Sequence, residues 1–375
     1  LAAPTIRPTR VEIALDAARD NARRMAELAG VDLFAVVKAD AYGHGAARVA
    51  GALEGRPGVF GFAVSLVEEG SQLRDAGITA PLLVMGPALE GGYDEMVGRD
   101  MLAMVSTERD LAELSAIGRR RGQPVQVHLK VDTGMGRLGL PEAGLADRVR
   151  ALGRQGGVEI TGVATHLACA ETDDPADPDC LTNRQLRRLA GAIEQVRLAG
   201  AAPAVVHAAN SAGAIRFPGS RFDRIRSGIA VYGNGVQPAG EPLRQAMKLV
   251  TEVVQLRDVA AGSTVSYGAL WRASRPSRLA VLPLGYADGL TRRLTNKADV
   301  LIGGRRCPLV GAISMDIAVA DVTELGDAAA VGDEAVLLGA QGGVEIRTAE
   351  LADKAGLLEY EVTCAISKRV PRVYG

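Results

Sequence analysis

Leu33-Phe-Ala-Val-Val-Lys38-Ala-Asp-Ala-Tyr42-Gly-His44-Gly45 runs from unbroken apolar residues straight into a lysine. A run this short and this apolar reads as a strand buried on both faces, the kind found in parallel sheets. An unpaired ammonium is costly to bury. Lys38 is therefore read as facing a site at the strand's end rather than as a surface residue. A desolvated amine of this kind suits Schiff-base formation or proton transfer. Only six lysines occur in the chain, so few residues compete for that role.

Working outward, seven similar runs follow: Val59–Val64, Pro81–Met85, Met101–Val105, Val125–Val131, Glu159–Thr165, Ala204–His207 and Arg224–Ile229. Between them lie stretches with apolar residues at helical spacing, at Asp16–Leu28, Leu66–Ala76, Glu108–Arg121, Leu140–Leu152 and Thr182–Ala199. Strands alternating with helices imply a parallel sheet. Eight such units in about 240 residues fit an α/β fold, a (β/α)8 barrel, over residues 11–240. Near Pro238–Pro242 the rhythm changes to short alternating strands: Leu249–Arg257, Leu279–Pro283, Asp299–Ile302, Cys307–Val310, Ala318–Asp321 and Glu334–Leu338. Gly303-Gly304 and Gly342-Gly343 read as turns, and Thr348–Ala355 as one short helix. Residues 241–375 are thus a mostly β domain. Residues 1–10 precede the barrel pattern and are expected to form a strand that packs with it.

Composition excludes several function classes. The chain has 375 residues, 47% hydrophobic and 23% charged, with a net charge of -1. No basic excess marks a nucleic-acid binder. No apolar run reaches the length of a membrane span, and the first residues lack a secretory signal's apolar core. The four cysteines are scattered with no C-x-x-C, so neither a disulfide scaffold nor a structural zinc site is expected. Free thiols point to a reducing cytoplasm.

In a (β/α)8 barrel the chemistry sits where strands end. The fifth strand ends in Lys130-Val-Asp-Thr-Gly134-Met-Gly136-Arg137-Leu-Gly139. These glycines match G-x-G-x-x-G, but the acidic residue that should close a second strand of a dinucleotide-binding unit is missing. They are read instead as letting the backbone turn sharply beneath a ligand. Lys130 and Arg137 are two cations at one site, which calls for an anion between them. The sixth strand ends at His166, the seventh in His207-Ala-Ala-Asn210-Ser211, and the eighth in Arg226-Ser-Gly228-Ile229. Loops after the last two strands of such barrels frequently hold a phosphate. A Schiff-base lysine, a phosphate cradle and an arginine for a ring nitrogen together suggest pyridoxal phosphate.

Ala35–Ala46, His128–Gly139, Ala208–Ser211, Arg226–Gly233, Val265–Gly268, Leu284–Gly289 and Ser314–Asp316 resemble, in order and spacing, the conserved segments of the alanine racemase family of pyridoxal-phosphate enzymes. The resemblance implies the roles that follow. Lys38 carries the cofactor and serves as the base on one face of the substrate. Tyr267, from the second subunit of a homodimer with shared active sites, is the base on the other. Two opposed bases are what racemisation needs. A phenol titrating near ~10 is a poor base at neutral pH; His166, linked to Arg226, is its implied activating neighbour. Arg226 faces the ring nitrogen. Tyr42, Ser211, Gly228 and Ile229 hold the phosphate. Arg137 binds near the ring hydroxyl and the substrate carboxylate. Lys130 matches a position that can carry a carbamate. Met315 and Tyr286 narrow the entrance in favour of a methyl side chain.

One position departs from the family pattern. In Ile366-Ser-Lys368-Arg-Val-Pro-Arg372 a lysine stands where a phosphate-binding tyrosine is frequent. Lys368 either contacts the phosphate by charge or leaves a looser pocket, and strictness for alanine differs between these alternatives. The expected activity is interconversion of L- and D-alanine, supplying D-alanine for peptidoglycan. The alternatives are a broader-specificity amino-acid racemase, a non-catalytic cofactor carrier and a decarboxylase of the same plan. A carrier would need no β domain with Tyr267. A decarboxylase would need a glycine-rich phosphate loop and a basic-substrate pocket, and neither is present.

Overall fold

The computed structural model describes residues 6–89 and 91–375, so residues 1–5 of the expected N-terminal strand lie outside the described residues. The described residues form two compact units: 18–41 with 46–89 and 91–243, and 6–17 with 42–45 and 244–375.

The first unit is built on eight parallel strands: β2 (Leu33–Val36), β3 (Val59–Val64), β4 (Leu82–Val84), β5 (Leu102–Val105), β6 (Val125–Lys130), β7 (Val158–Ala164), β8 (Val205–His207) and β9 (Ile225–Ser227). They pair in chain order from β2 to β8, with β9 returning beside β2. The barrel is nearly closed: no ladder joins β8 to β9. Backbone bonds from Asp223 N to Val206 O (3.0 Å) and Arg226 N to Ala209 O (2.9 Å) span the seam instead. The Asp223 carboxylate adds an acceptor for Val206 N at 2.7 Å. Most strand residues are buried on both faces because helices cover the outside. Helix Leu15–Ala29 shows why: Ala18, Ala22, Met25, Ala26 and Ala29 are buried at i, i+3, i+4 spacing. Helix Glu108–Arg121 starts in a Thr107–Asp110 capping box and stops at Gly122, whose φ is 67°. The expected helix Leu140–Leu152 begins only at Leu145. Leu140 is held back at the strand tip, its N–H bound to Lys130 O (2.8 Å) and its carbonyl to Asp132 N (3.0 Å).

The second unit holds β1 (Arg10–Ile13), β10 (Met247–Glu252), β11 (Gln255–Val259), β12 (Thr264–Val265), β13 (Trp271–Arg272), β14 (Ser277–Leu282), β15 (Asp299–Ile302), β16 (Arg305–Pro308), β17 (Ala318–Asp321), β18 (Glu334–Gln341), β19 (Val344–Ile346) and β20 (Arg372–Tyr374). The larger sheet runs β16-β15-β18-β10-β1-β20 with β19 on β18; a second runs β11-β14-β17. β1 is antiparallel to β10 and parallel to β20, so both ends of the described chain meet in one sheet. Leu249–Arg257, expected as one strand, is two. Between them Val253 N binds Asp333 O (2.9 Å) and Val254 N binds Val281 O (3.0 Å), and the backbone changes partner from one sheet to the other. Among the described residues no helix is long and apolar enough to cross a membrane.

Candidate active site

The barrel interior is where the first unit departs from an ordinary packed core. Side chains from β2, β6 and β8 meet inside it. The rings of His128 and His207 lie 5.0 Å apart, and that of Phe34 lies 5.8 Å from His207. Gly162 on β7 makes room for this: a Cβ there would stand 2.5 Å from the His128 ring. Lys130 is two residues beyond His128 on β6, so its side chain leaves the same face, one layer nearer the strand ends.

Arg226 on β9 is 3% exposed and organises the layer. Its Nη1 donates to His207 Nδ1 (2.5 Å) and to His207 O (2.9 Å). Its Nη2 donates to Thr165 O (2.6 Å), to Ala208 O (2.9 Å) and to His166 Nδ1 (3.3 Å). No carboxylate pairs with it among the described residues. Burial alone lowers its pKa to about 10. Because a guanidinium only donates, His207 Nδ1 and His166 Nδ1 must accept, and both rings carry their proton on Nε2. His207 Nε2–H then donates to His128 Nδ1 at 2.8 Å. All three rings are held neutral by burial and then by the charge of Arg226: His128 falls to about 4, His166 to about 3, and His207 well below its ordinary value.

Above this layer opens a cavity of about 280 Å³ whose wall includes Lys38, Lys130, Arg137, His166 and Arg226 and no acidic side chain. Lys130 is 6% exposed. Its pKa is lowered to about 8 by desolvation first and then by Arg226 and Arg137. Four cations with no carboxylate among them suit this cavity to an anion. The loop that carries Arg137 over it is folded around Asp132, whose Oδ1 accepts from Gly134 N (3.0 Å), Met135 N (2.9 Å) and Gly136 N (3.1 Å). The sharp turn is present, but these amides face Asp132 rather than a ligand. Gly139 closes it, since its φ is 138° and a Cβ would lie 2.6 Å from Asp132 N.

Lys38 begins a turn of unusual hand. Ala39, Asp40, Ala41 and Tyr42 have φ of 51°, 54°, 54° and 54°, a left-handed helical turn without glycine. Such a conformation costs about 1–2 kcal/mol per residue, and strain of this order persists only where surroundings enforce it. Ala39 N donates to Glu69 Oε1 (2.6 Å), and Asp40 Oδ1 accepts from Ala46 N (2.8 Å).

Ser211, Gly228 and Ile229 form a second buried cluster just beyond Arg226. Ser211 Oγ accepts from Gly228 N (3.1 Å) and Ala230 N (3.4 Å). The remaining candidates belong to the second unit. Tyr42 is buried, its ring 5.7 Å from that of Tyr360. Tyr267 is 73% exposed. Tyr286 N bonds to Ser314 O and Ala287 N to Met315 O, both at 3.0 Å, which ties the Tyr286 and Met315 segments together. Lys368 is exposed beside them: Ser367 N binds Asp288 O (3.2 Å), and Arg369 binds the buried Asp288 carboxylate (2.9 Å). His128 and His207 are the site residues that the sequence reading did not single out. Their signal is that three of the chain's four histidines fall within or at the tips of barrel strands.

The donor set fits pyridoxal phosphate. Arg226 keeps one guanidinium donor, Nε–H, without a protein acceptor among the described residues, and its side chain reaches the cavity. Lys38 supplies the amine, and the Ser211–Gly228–Ile229 cluster supplies small, donor-rich backbone.

Comparison with known proteins agrees with this geometry. The family profile described as "Alanine racemase, N-terminal domain" matches residues 13–235, and "Alanine racemase, C-terminal domain" matches residues 246–374. The alanine racemase of Symbiobacterium thermophilum is 45% identical over 99% of this chain and 98% of its own. A crystal structure of alanine racemase from Streptomyces lavendulae superposes with a TM-score of 0.92 at 36% identity, covering 99% of this chain and 98% of that one. That of the Bacillus anthracis enzyme with bound L-Ala-P gives 0.87 at 33%, covering 100% and 96%. The chain belongs to the alanine racemase family, and is thereby a pyridoxal-phosphate-dependent racemase.

Proposed function

We propose that this chain racemises alanine through two opposed bases, Lys38 on one face of the substrate and Tyr267 on the other. The observation that carries the reading is the acid-free, four-cation cavity at the strand ends, entered by a lysine on a strained turn. Pyridoxal phosphate, when bound, draws electron density from the substrate's α-carbon and so loosens its proton. Lys38 binds the cofactor and moves that proton on its own face. Tyr267 comes from the second subunit of a homodimer and moves it on the opposite face. His166 supports this: its Nδ1 is committed to Arg226, so Nε2–H is the donor left to steady a phenolate oxygen.

Arg226 binds the ring nitrogen as a donor. A guanidinium does not readily release a proton, so Arg226 would offer the ring nitrogen a hydrogen bond without protonating it, which would restrain side reactions such as transamination. Tyr42, Ser211, Gly228 and Ile229 hold the phosphate, with Lys368 adding charge. Arg137 orients the substrate carboxylate, while Met315 and Tyr286 limit the side chain. Lys130, with its pKa near 8, has a neutral fraction able to take up carbon dioxide. The amine nitrogen bonds to the carbon, an electron pair moves onto oxygen, and one proton leaves. The resulting carbamate supplies the anion that Arg137 lacks. The protein acts in the cytoplasm, and its D-alanine serves peptidoglycan.

The test is incubation of the holoenzyme with L-alanine, L-serine and L-lysine separately in deuterated water, following chirality and α-deuteration. Rapid labelled D-alanine with little turnover of the others is the expected result. Comparable turnover of serine or lysine would make this a broad-specificity racemase.

A further inference from the structure

The left-handed turn after Lys38 has a support that lies far from it in sequence. Glu69 sits in the first turn of helix Val67–Asp75, which follows β3. One of its carboxylate oxygens, Oε2, accepts from Ser65 N (2.8 Å) and Leu66 N (3.0 Å) and so starts that helix. The other, Oε1, is not needed for the cap. It accepts from Ala39 N at 2.6 Å, the amide directly after Lys38. Charge-assisted bonds to a carboxylate are short and strong. This one acts on the first peptide of a segment that its own residues disfavour at four successive positions. Further along, Ala41 N reaches back to Val37 O at 2.9 Å, and Asp40 secures the exit through Ala46. Among the described residues, only Glu69 reaches the amide between the lysine and the turn from another strand–helix unit.

We infer that Glu69 is a positioning residue for the reaction: it holds the left-handed turn so that the Lys38 amine stays aimed into the cavity. The inference rests on Lys38 being the cofactor lysine. Glu69 touches neither cofactor nor substrate and acts through the Ala39 peptide. A strained anchor of this kind fixes where the amine emerges, and misplacement of a reacting group by an ångström costs rate out of proportion to the stability lost.

The experiment uses the full-length protein, stripped of cofactor and reloaded. Three readings are taken: the return of the visible band of lysine-bound cofactor, the lysine labelled after borohydride reduction, and kcat with KM. Glu69→Ala should reload about tenfold more slowly and lose more in kcat than in KM, with the label still on Lys38. Replacing both Ala39 and Ala41 by glycine in that background removes the penalty of the left-handed turn. It should restore reloading to within about threefold of the parent. Reloading at the parent rate in Glu69→Ala would overturn the inference. So would rescue by Leu66→Ser, which recaps the helix alone, with no rescue by the glycine pair. Should Glu69→Ala fail to fold, Glu69→Gln keeps the volume with a single carbonyl acceptor, and the same glycine rescue decides the matter. A label on another lysine in the parent protein would instead remove the Lys38 reading itself.

Discussion

The two residues proposed as bases stand on two segments that violate the same backbone rule in opposite settings. Lys38 enters a buried left-handed turn at the mouth of the barrel. Tyr267 sits in a hairpin between β12 and β13, where Ser266, Gly268 and Ala269 have φ of 62°, 74° and 47°. Each strained segment is tied down by side chains. Glu69 and Asp40 hold the first. Ser266 Oγ donates to Ala312 O (2.6 Å) and Asn296 Nδ2 to Leu270 O (3.0 Å) to hold the second. The difference is in what surrounds the reactive group. Around Lys38 the first unit supplies a walled cavity lined by three further cations. Tyr267 is largely exposed at the tip of its hairpin and lines no such cavity of the first unit. The proposed assignment of Tyr267 to the partner's cavity comes from the family resemblance, and an exposed tyrosine at a hairpin tip is compatible with it.

The largest effect should come from the cavity side. Lys38→Ala is expected to reduce racemisation to background and abolish the visible band of lysine-bound cofactor. A band that survives would transfer the attachment to another lysine and dissolve the comparison. Tyr267→Phe removes only a hydroxyl from an exposed tip, so the fold and the visible band should persist. Losing a positioned acid–base group should slow turnover by about 10²–10⁴-fold. The loss should be directional, with proton removal from L-alanine impaired more than from D-alanine, as read from α-hydrogen isotope effects in each direction. Equal effects in both directions would mean that the two segments do not serve opposite faces.

How much of this was legible from the chain depends on whether local residues carry the signal. All eight barrel strands appear within a residue or two of their apolar runs, because a strand buried on both faces has no alternation to misread. Lys38, Lys130, His166 and Arg226 were legible as residues that end such runs, and the cavity brings these four together with Arg137. The division of Leu249–Arg257 was not. It holds no glycine, proline or other turn signal, and the break comes from exchanging one partner strand for another. Nor was the left-handed turn, since Ala, Asp, Ala and Tyr disfavour it and its support lies thirty residues on at Glu69. His128 and His207 were passed over for a related reason. A histidine in an apolar strand looks like a filled core position until the arginine that fixes its tautomer is placed beside it.

The smallest predicted effect separates the two regions by charge. Lys130 has a folded-state pKa of about 8 against an ordinary 10.5. Below pH 8 both folded and unfolded chains hold the proton, and the folded state bears the full penalty of a buried ammonium beside Arg226 and Arg137. Between about 8 and 10.5 the unfolded chain binds more protons, so stability rises with pH; above that window the penalty is gone. The shift corresponds to roughly 3 kcal/mol as an upper bound. Lys130→Met keeps the stem and removes the charge. In buffer freed of carbon dioxide it should be more stable than the parent by about 1–3 kcal/mol at pH 7 in denaturant unfolding, and the gap should close as pH climbs through that window. Added bicarbonate should narrow the gap at pH 7 by stabilising the parent alone, because only an amine can form the carbamate. A Lys130→Met gap that ignores pH would mean that the cavity's cations are already balanced within the protein. The cation-lined pocket would then differ from the exposed hairpin in burial and not in charge.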